Sequence, residues 1–530
     1  MNEYDFIVVG AGSAGSVIAS RLSENPDVEV LAIEAGPVER PGNVQNAAIW
    51  YTLLGSSIDW GYTSVPQPGL DGRQTYEPRG KAIGGSSNLY IMMHIRGHPS
   101  DYDNWSYNGC PGWTYQECIP YFQRSEGQED DTNPTAGKDG PLAVTNAGKH
   151  NPNPTSAAFI EACKSLGFPE TSDFNGPNME GVGWHHINVR DGERWSTAEG
   201  YLLPALSRPN LTLQSNAQAT RLLFDGKRVT GVEYAQHTGV HQPIGGNAPV
   251  AHAGANRTHR YQAHARQEII VCLGAIESPK LLMLSGIGDP AELREHDIEP
   301  VLGLPGVGKN FHNHVLSGVI FECKKPVPPG EQNLSEAALF LKSDPGWVGP
   351  DLQIAFVHVP FNIIVGQGHP NSVSILPGVV RPLSRGWIKL GSSNPLDKPL
   401  VNPNYFSAAS DRERMVQAVK LSREIFRAGP FSEWVGDELM PGPDFEGDDN
   451  LDQFVRQTSD SYHHQAGSCK MGLDDMAVVD PKLKVHGIEG LRVADASVMP
   501  HVQSGNCHSG IVMIAERLSE WLKQDHGIQA

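Results

Sequence analysis

Near the N-terminus the apolar positions come in runs, not in strict alternation. "YDFIVVG", residues 4–10, is a short β-branched stretch ending in glycine, the pattern of a strand buried on both faces of a parallel sheet. In the following "GAGSAGSVIASRLSE", Ala14, Val17, Ile18 and Leu22 fall at helical spacing, and "VEVLAIEAG" predicts a second strand ending at Glu34. After Gly36 this alternation stops and a long loop-rich region begins, including a glycine-serine turn in "EPRGKAIGGSSNLYIMMHIRGHPSDYDNW" (77–105). "RPNLTLQSNAQATRLLFDGKRVTGVEY" (208–234) predicts antiparallel strands turning at Asp225-Gly226. "EIIVCLGAIESPKLLMLSGIG" (268–288) restores strand, glycine turn and helix, which returns the chain to the first sheet.

Residues 311 to about 455 mix strand-like runs ("GVIFECK", "DLQIAFVHV", "GWIKLG") with Pro-rich connections and a helix, "DRERMVQAVKLSREIFRAG". That mixture predicts an antiparallel sheet with helices to one side. "LRVADASVMPHVQSGNCHSGIVMIAERLSEWLKQ" (491–524) is again strand, loop and amphipathic helix. The expected fold is α/β: a discontinuous Rossmann-like domain from 1–155, 200–310 and 456–530, and an α+β domain with an antiparallel sheet from 156–199 and 311–455.

A length of 530 residues agrees with two large domains. Apolar residues make up 39% of the chain, and no window approaches the ~18 consecutive apolar residues of a membrane span. The net charge of −19 and the lack of a concentrated basic patch argue against nucleic acid as a partner. Seven scattered cysteines, none in C-x-x-C spacing, suggest neither a disulfide framework nor a zinc site. A reducing cytoplasm fits them, and the N-terminus, with Glu3 and Asp5, does not read as a signal peptide. Residues 235–266 are rich in His, Gly, Ala and Asn without ligand spacing, so a solvated hairpin insertion is expected there and no metal.

Gly10, Gly12 and Gly15 form G-x-G-x-x-G between the first predicted strand and helix, and Glu34 lies 19 residues beyond Gly15. The first glycine permits a tight turn, the second a close approach of pyrophosphate, and the third helix-on-sheet packing; the acid can accept from a ribose diol. A lone motif of this kind is weak evidence. Here strand, turn, helix, second strand and acid agree, which predicts a dinucleotide, nicotinamide or flavin.

"GKAIGGSS" (80–87), "GAIESPKLLMLSGIG" (274–288), "LPGVGKNFHNH" (304–314), "HQAGSCKMG" (464–472) and "LRVADASVMP" (491–500) occur in this order over nearly the whole chain. Together they resemble the glucose-methanol-choline (GMC) oxidoreductases, FAD enzymes that oxidise alcohols. The resemblance implies FAD, with Gly10, Gly12, Ser13, Ala14, Gly15, Glu34 and Ala35 on its ADP half. It further implies isoalloxazine contacts near Gly85, Ser87 and Asn88, an adenine contact near Ala219, and a phosphate-side contact from Asp495 and Ala496. Two positions depart from the family: Tyr90 stands where Asn or His is common, and Leu89 stands where members with covalent FAD carry histidine. Non-covalent FAD is therefore expected.

The pattern H-x-x-G-[ST]-C-x-M-G resembles the family's catalytic segment and selects His464, with His463 at a position usually aromatic. The family's second catalytic position falls on Asn506, and His508 lies near the helix N-terminus expected to face the flavin pyrimidine ring. The chemistry supplies its own reason. A base must take the hydroxyl proton as hydride leaves the carbon for flavin N5, and an asparagine can orient the hydroxyl without competing for that proton. The expected activity is oxidation of an alcohol to the aldehyde, with oxygen or another electron acceptor. A homodimer is left open.

Choline oxidases carry a glutamate at the position of Leu316, so a neutral primary or aromatic alcohol is the expected substrate and choline-type activity the alternative. A lyase or photodecarboxylase of the same fold would keep the flavin and change the reaction, whereas His464 and Asn506 together argue for alcohol oxidation. From another class, a flavin-binding regulatory protein would show no flavin reduction by any alcohol.

Overall fold

The computed structural model describes residues 3–237, 258–361 and 369–529. Strand β1 (Glu3–Val9), helix α1 (Ser13–Leu22) and strand β2 (Val30–Ile33) form the expected opening unit. Its turn depends on two glycines. Gly10 has φ +99°, and a Cβ on Gly15 would stand 1.7 Å from the Gly10 carbonyl oxygen, so only glycine lets α1 lie on the strand end.

Strands β3 (Leu211–Gln214), β4 (Ala217–Asp225), β5 (Arg228–His237) and β6 (Thr258–Val271) complete most of the first sheet, in the order β3-β2-β1-β6-β5-β4. Both β2 and β6 run parallel to β1, and β3 runs parallel to β2. Only part of 208–234 is therefore antiparallel. The hairpin at Asp225–Arg228 joins β4 to β5 as expected, whereas β3 has all four residues buried, as a parallel strand requires. Strand β6 serves both patterns: its first half pairs antiparallel with β5, and its end pairs parallel with β1. The middle of the expected insertion, 238–257, lies outside the described residues. Helix α2 (Gly274–Leu284) then follows β6.

The second sheet contains β7 (Val315–Leu316), β8 (Val319–Cys323), β9 (Ala337–Leu341), β10 (Leu352–Val357) and β11 (Ser372–Val379). Beyond them come helix α3 (Ala409–Arg427) and strands β12 (Val435–Met440) and β13 (Asp460–Ser461). The order is β12-β8-β11-β10-β9 followed by Gly181–Trp184, with β7 joining β11 to β13; every pairing is antiparallel. "GWIKLG" stands apart, pairing Trp387–Lys389 only with Leu400–Asn402.

Period-two geometry divides the strands between two cores. Leu339, Ile354 and Phe356 pack beneath Met415, Val419 and Phe426 of α3, while Ala338, Phe340, Ala355 and Val357 face Met92, Met93 and Ile95 on the other side. A sheet buried on both faces explains why "LQIAFV" is apolar without alternation. The chain then returns through β14 (Leu491–Val493), parallel to β6, and ends in α4 (His508–Asp525), which pairs Glu516 with Arg21 of α1 at 2.8 Å. No helix among the described residues is long and apolar enough to cross a membrane.

Replacing Gly15 with Ala should push α1 off the Gly10 turn. We expect loss of bound FAD and destabilisation of at least about 1–3 kcal/mol, the usual cost of overpacking. Flavin content and thermal unfolding of the purified variant measure both effects.

Candidate active site

Two adjoining cavities lie where the sheets meet. One gathers residues from distant parts of the chain: Gly10, Gly12, Ser13 and Ala14 of the first turn, Glu34 and Ala35 at the end of β2, Gly85, Ala219, and Asp495 with Ala496. Glu34 accepts from the Ala11 N–H at 3.0 Å and the Gly36 N–H at 2.9 Å, and burial pushes its carboxyl up to about 7. Asp495 accepts from the Gly274 N–H and the Ser278 hydroxyl, tying the last strand to α2. The start of α1 has no side-chain cap, so its first N–H groups are available to an anion.

Not every expected residue faces this space. Gly15 packs against Gly10 and lines neither cavity. Ser87 and Asn88 line neither cavity either: Ser87 Oγ donates to Gly84 O, and Asn88 Nδ2 donates to Ile83 O and Gly85 O. These two side chains hold the turn that presents Gly85.

The second cavity is lined by His463, His464, Asn506 and His508, with Trp50, Leu89, Tyr90, Leu316, Phe361 and Tyr462 among its walls. A bulge creates the site. His312 bridges Ala466, and the His314 carbonyl accepts from Tyr462 N–H, so two steps on one strand face four on the other. The surplus residues leave the ladder, and His463 takes the left-handed conformation, φ +64°. Asn313 repairs the gap, its Oδ1 accepting from the His464 N–H at 2.8 Å. Its Nδ2 lies 3.1 Å from Glu77 Oε2, and Glu77 also accepts from Tyr405, Thr75 and Ser461. A buried polar node therefore holds the bulge in one shape.

His464 Nε2 lies 3.1 Å from Asn506 Nδ2, and Asn506 Oδ1 accepts from Gln353 Nε2 at 3.2 Å. With its oxygen engaged, Asn506 turns its N–H toward Nε2, which must be the accepting nitrogen. The proton of neutral His464 then sits on Nδ1 and donates to His314 Nδ1 at 2.9 Å. His314, accepting at Nδ1, in turn carries its proton on Nε2, a buried nitrogen with no partner among the described residues. Burial, then the neighbouring His314, His463 and Arg79, hold His464 well below the usual histidine range. It is a neutral base whose Nε2 lone pair accepts from the Asn506 amide. A hydroxyl placed against both nitrogens can receive a hydrogen bond from Asn506 and give its proton to Nε2.

His463 also lines the cavity, but its Nδ1 has no partner and its carbonyl accepts from Arg79 Nη2 at 2.6 Å. His508 opens α4, buried, with both ring nitrogens unpartnered and its ring centroid 4.7 Å from that of Tyr90. The Tyr90 hydroxyl donates to Asn188 Oδ1 at 3.0 Å. Unpartnered imidazole nitrogens, an uncapped helix start and a glycine-walled cleft suit a flavin dinucleotide.

Two family models match, both described as GMC oxidoreductase, over residues 4–316 and 382–515. The chain is a GMC oxidoreductase. It is 40% identical over 558 residues to a mitochondrial choline dehydrogenase of Mus musculus, covering 98% of this chain and 90% of the relative. It is likewise 40% identical over 550 residues to an oxygen-dependent choline dehydrogenase of Burkholderia lata, covering 98% and 94%. Among solved structures it resembles pyridoxine 4-oxidase from Mesorbium loti, with TM-score 0.90, 32% identity and coverage of 99% and 100%. As a GMC oxidoreductase the chain is an FAD-dependent enzyme acting on CH–OH donors, and the two-domain fold expected from its motifs is the family's.

Sequence reasoning did not assign roles to Asn313, His314, Gln353 or Glu77. The first two lie in the "HNH" triplet, 312–314, where a second histidine two residues from the first is the available signal. Gln353 sits in an apolar strand and Glu77 before "PRG", and neither carries a local signature.

His464→Ala should lower the rate of anaerobic flavin reduction at least ~10²-fold with FAD retained, and His463→Ala should cost much less. Because the folded pKa of His464 lies below its ordinary value, the basic form is complete above about pH 6.5. The reduction rate should therefore be flat above that pH and fall only on the acid side, as stopped-flow measurements across pH would record.

Proposed function

We propose that this GMC oxidoreductase converts an aromatic primary alcohol to the aldehyde, with His464 as general base and Asn506 holding the hydroxyl. The observation that carries the substrate class is the wall around Leu316. Leu316 lines the same cavity as His464, together with Trp50, Phe361, Leu376 and Tyr462, so the volume beside the base is bounded largely by apolar and aromatic groups. Such walls favour a flat apolar body by area burial and ring packing. The similar pyridoxine 4-oxidase supports the reading, since pyridoxine carries hydroxymethyl groups on an aromatic ring.

In the free protein Nε2 and the Asn506 amide satisfy each other. A substrate hydroxyl takes over the amide's donor and presents its own proton to Nε2, and the Nδ1–H to His314 keeps the ring in the accepting tautomer. The bound flavin supplies the two-electron acceptor for the hydride. Gln353 fixes the amide so that it stabilises developing negative charge on the substrate oxygen.

FAD is held without a covalent link in this reading, because Leu89 stands at the position where a histidyl bond would form. A reducing compartment is supported by seven cysteines, all of them free and buried. Acid precipitation should release intact FAD into the supernatant, leaving a colourless pellet.

The names of the relatives favour a second substrate, choline. Trp50, Phe361 and Tyr462 could contact a trimethylammonium group through their ring faces. Comparison of anaerobic flavin reduction by benzyl alcohol and by choline separates the two. We expect a higher kcat/KM for benzyl alcohol, whereas a preference for choline would transfer the assignment to the second reading. Admission of air to the reduced enzyme shows whether oxygen is the acceptor.

A further inference from the structure

Leu316 of β7 is the direct cross-strand partner of Asp460 of β13, and both line the cavity that contains His464. Asp460 is a carboxylate in a largely apolar wall. The Ser461 N–H donates to its Oδ1 at 2.7 Å, and the Tyr76 amide also bonds to it, so backbone groups fix its orientation. No cationic side chain pairs with it among the described residues. Arg73, whose charge acts on it, gives its donors to the carbonyls of Arg456 and Ser459. Arg79, also in the wall, donates to the His463 carbonyl.

A carboxylate held by N–H groups on a half-buried wall keeps acceptor capacity that water or a ligand must use. Its strand pairing keeps it beside Leu316, at the end of the bulged segment that carries the base. Neither Asn506 nor the His464–His314 pair bonds to it, so it has no part in taking the hydroxyl proton.

The geometry points to Asp460 as a specificity-determining residue that accepts a hydrogen bond from an N–H or O–H donor on the far side of the substrate. Resting on the aromatic-alcohol reading, this narrows the substrate class to aromatic primary alcohols bearing an ammonium or hydroxyl group away from the CH₂OH. A quaternary ammonium, which has no N–H, could not make this contact. The carboxylate would gain a charge-assisted partner in place of water, and one such bond suffices for at least about tenfold selectivity.

The test compares 4-(aminomethyl)benzyl alcohol with 4-methylbenzyl alcohol in anaerobic flavin reduction by the parent holoenzyme and by Asp460→Asn. In the parent, the ratio of reduction efficiencies should favour the amine by at least about tenfold, and in the variant it should fall to near unity. Equal FAD content and unfolding temperature in the two proteins show that the near-isosteric change leaves the fold intact. A second measurement needs no turnover. 4-Methylbenzylamine, which has no alcohol, should perturb the flavin spectrum of the parent at a concentration at least about tenfold lower than in Asp460→Asn. Equal ratios in parent and variant, or equal amine binding, would overturn the assignment. If neither alcohol reduces the flavin while amine binding still depends on Asp460, the aromatic-alcohol reading fails and the carboxylate subsite stands.

Discussion

The site depends on one defect in a strand pairing. Between His312 and Val315 the chain pairs with 461–466 at both ends, but the second strand has more residues to accommodate than the first. A regular ladder would point alternate side chains to opposite faces and consume the backbone donors. The bulge frees the His464 N–H for Asn313 and turns both adjacent histidines to one cavity. That geometry costs a left-handed residue at His463, and the Glu77–Asn313–Ser461 node supplies the bonds that keep it.

The node and the base are consequently one mechanical unit. Asn313 bonds to the His464 backbone, His314 beside it bonds to the His464 ring, and β7 begins immediately after. Main-chain position, ring tautomer and the Leu316 wall all originate in four consecutive residues, 313–316. Asn506 comes from the loop just before α4, but its amide is oriented by Gln353 of β10 in the second sheet. The reacting geometry thus spans the contact between the sheets, and a shift of either domain would change the 3.1 Å separation of the two nitrogens.

Burial acts on these groups in opposite ways. It lowers His464, which favours the neutral imidazole that can accept the hydroxyl proton. It raises Glu77 and Asp460, whose carboxylates are held by donors from neighbouring backbone and side chains. A weak buried base needs a partner that favours proton transfer only as the hydride departs, and the Asn506 amide has that character because it stabilises the oxygen, not the proton.

The sequence by itself determined the opening strand-turn-helix, since a glycine at 15 is required by contact with Gly10 whatever the rest of the chain does. It also determined the two-sheet architecture and pointed to His464 over His463 as the base we propose, because motif order and spacing are properties of the linear chain. Other features could not be read that way. Parallel pairing of β3 depends on where the chain enters the sheet, and the inward turn of Ser87 and Asn88 depends on carbonyls that only the folded loop brings within reach. Glu77, Gln353 and His314 acquire their roles from partners 236, 153 and 150 residues away in sequence. Such contacts carry no local period or motif. The tertiary structure alone decided which polar residues share a cavity, and so which side chains orient the base.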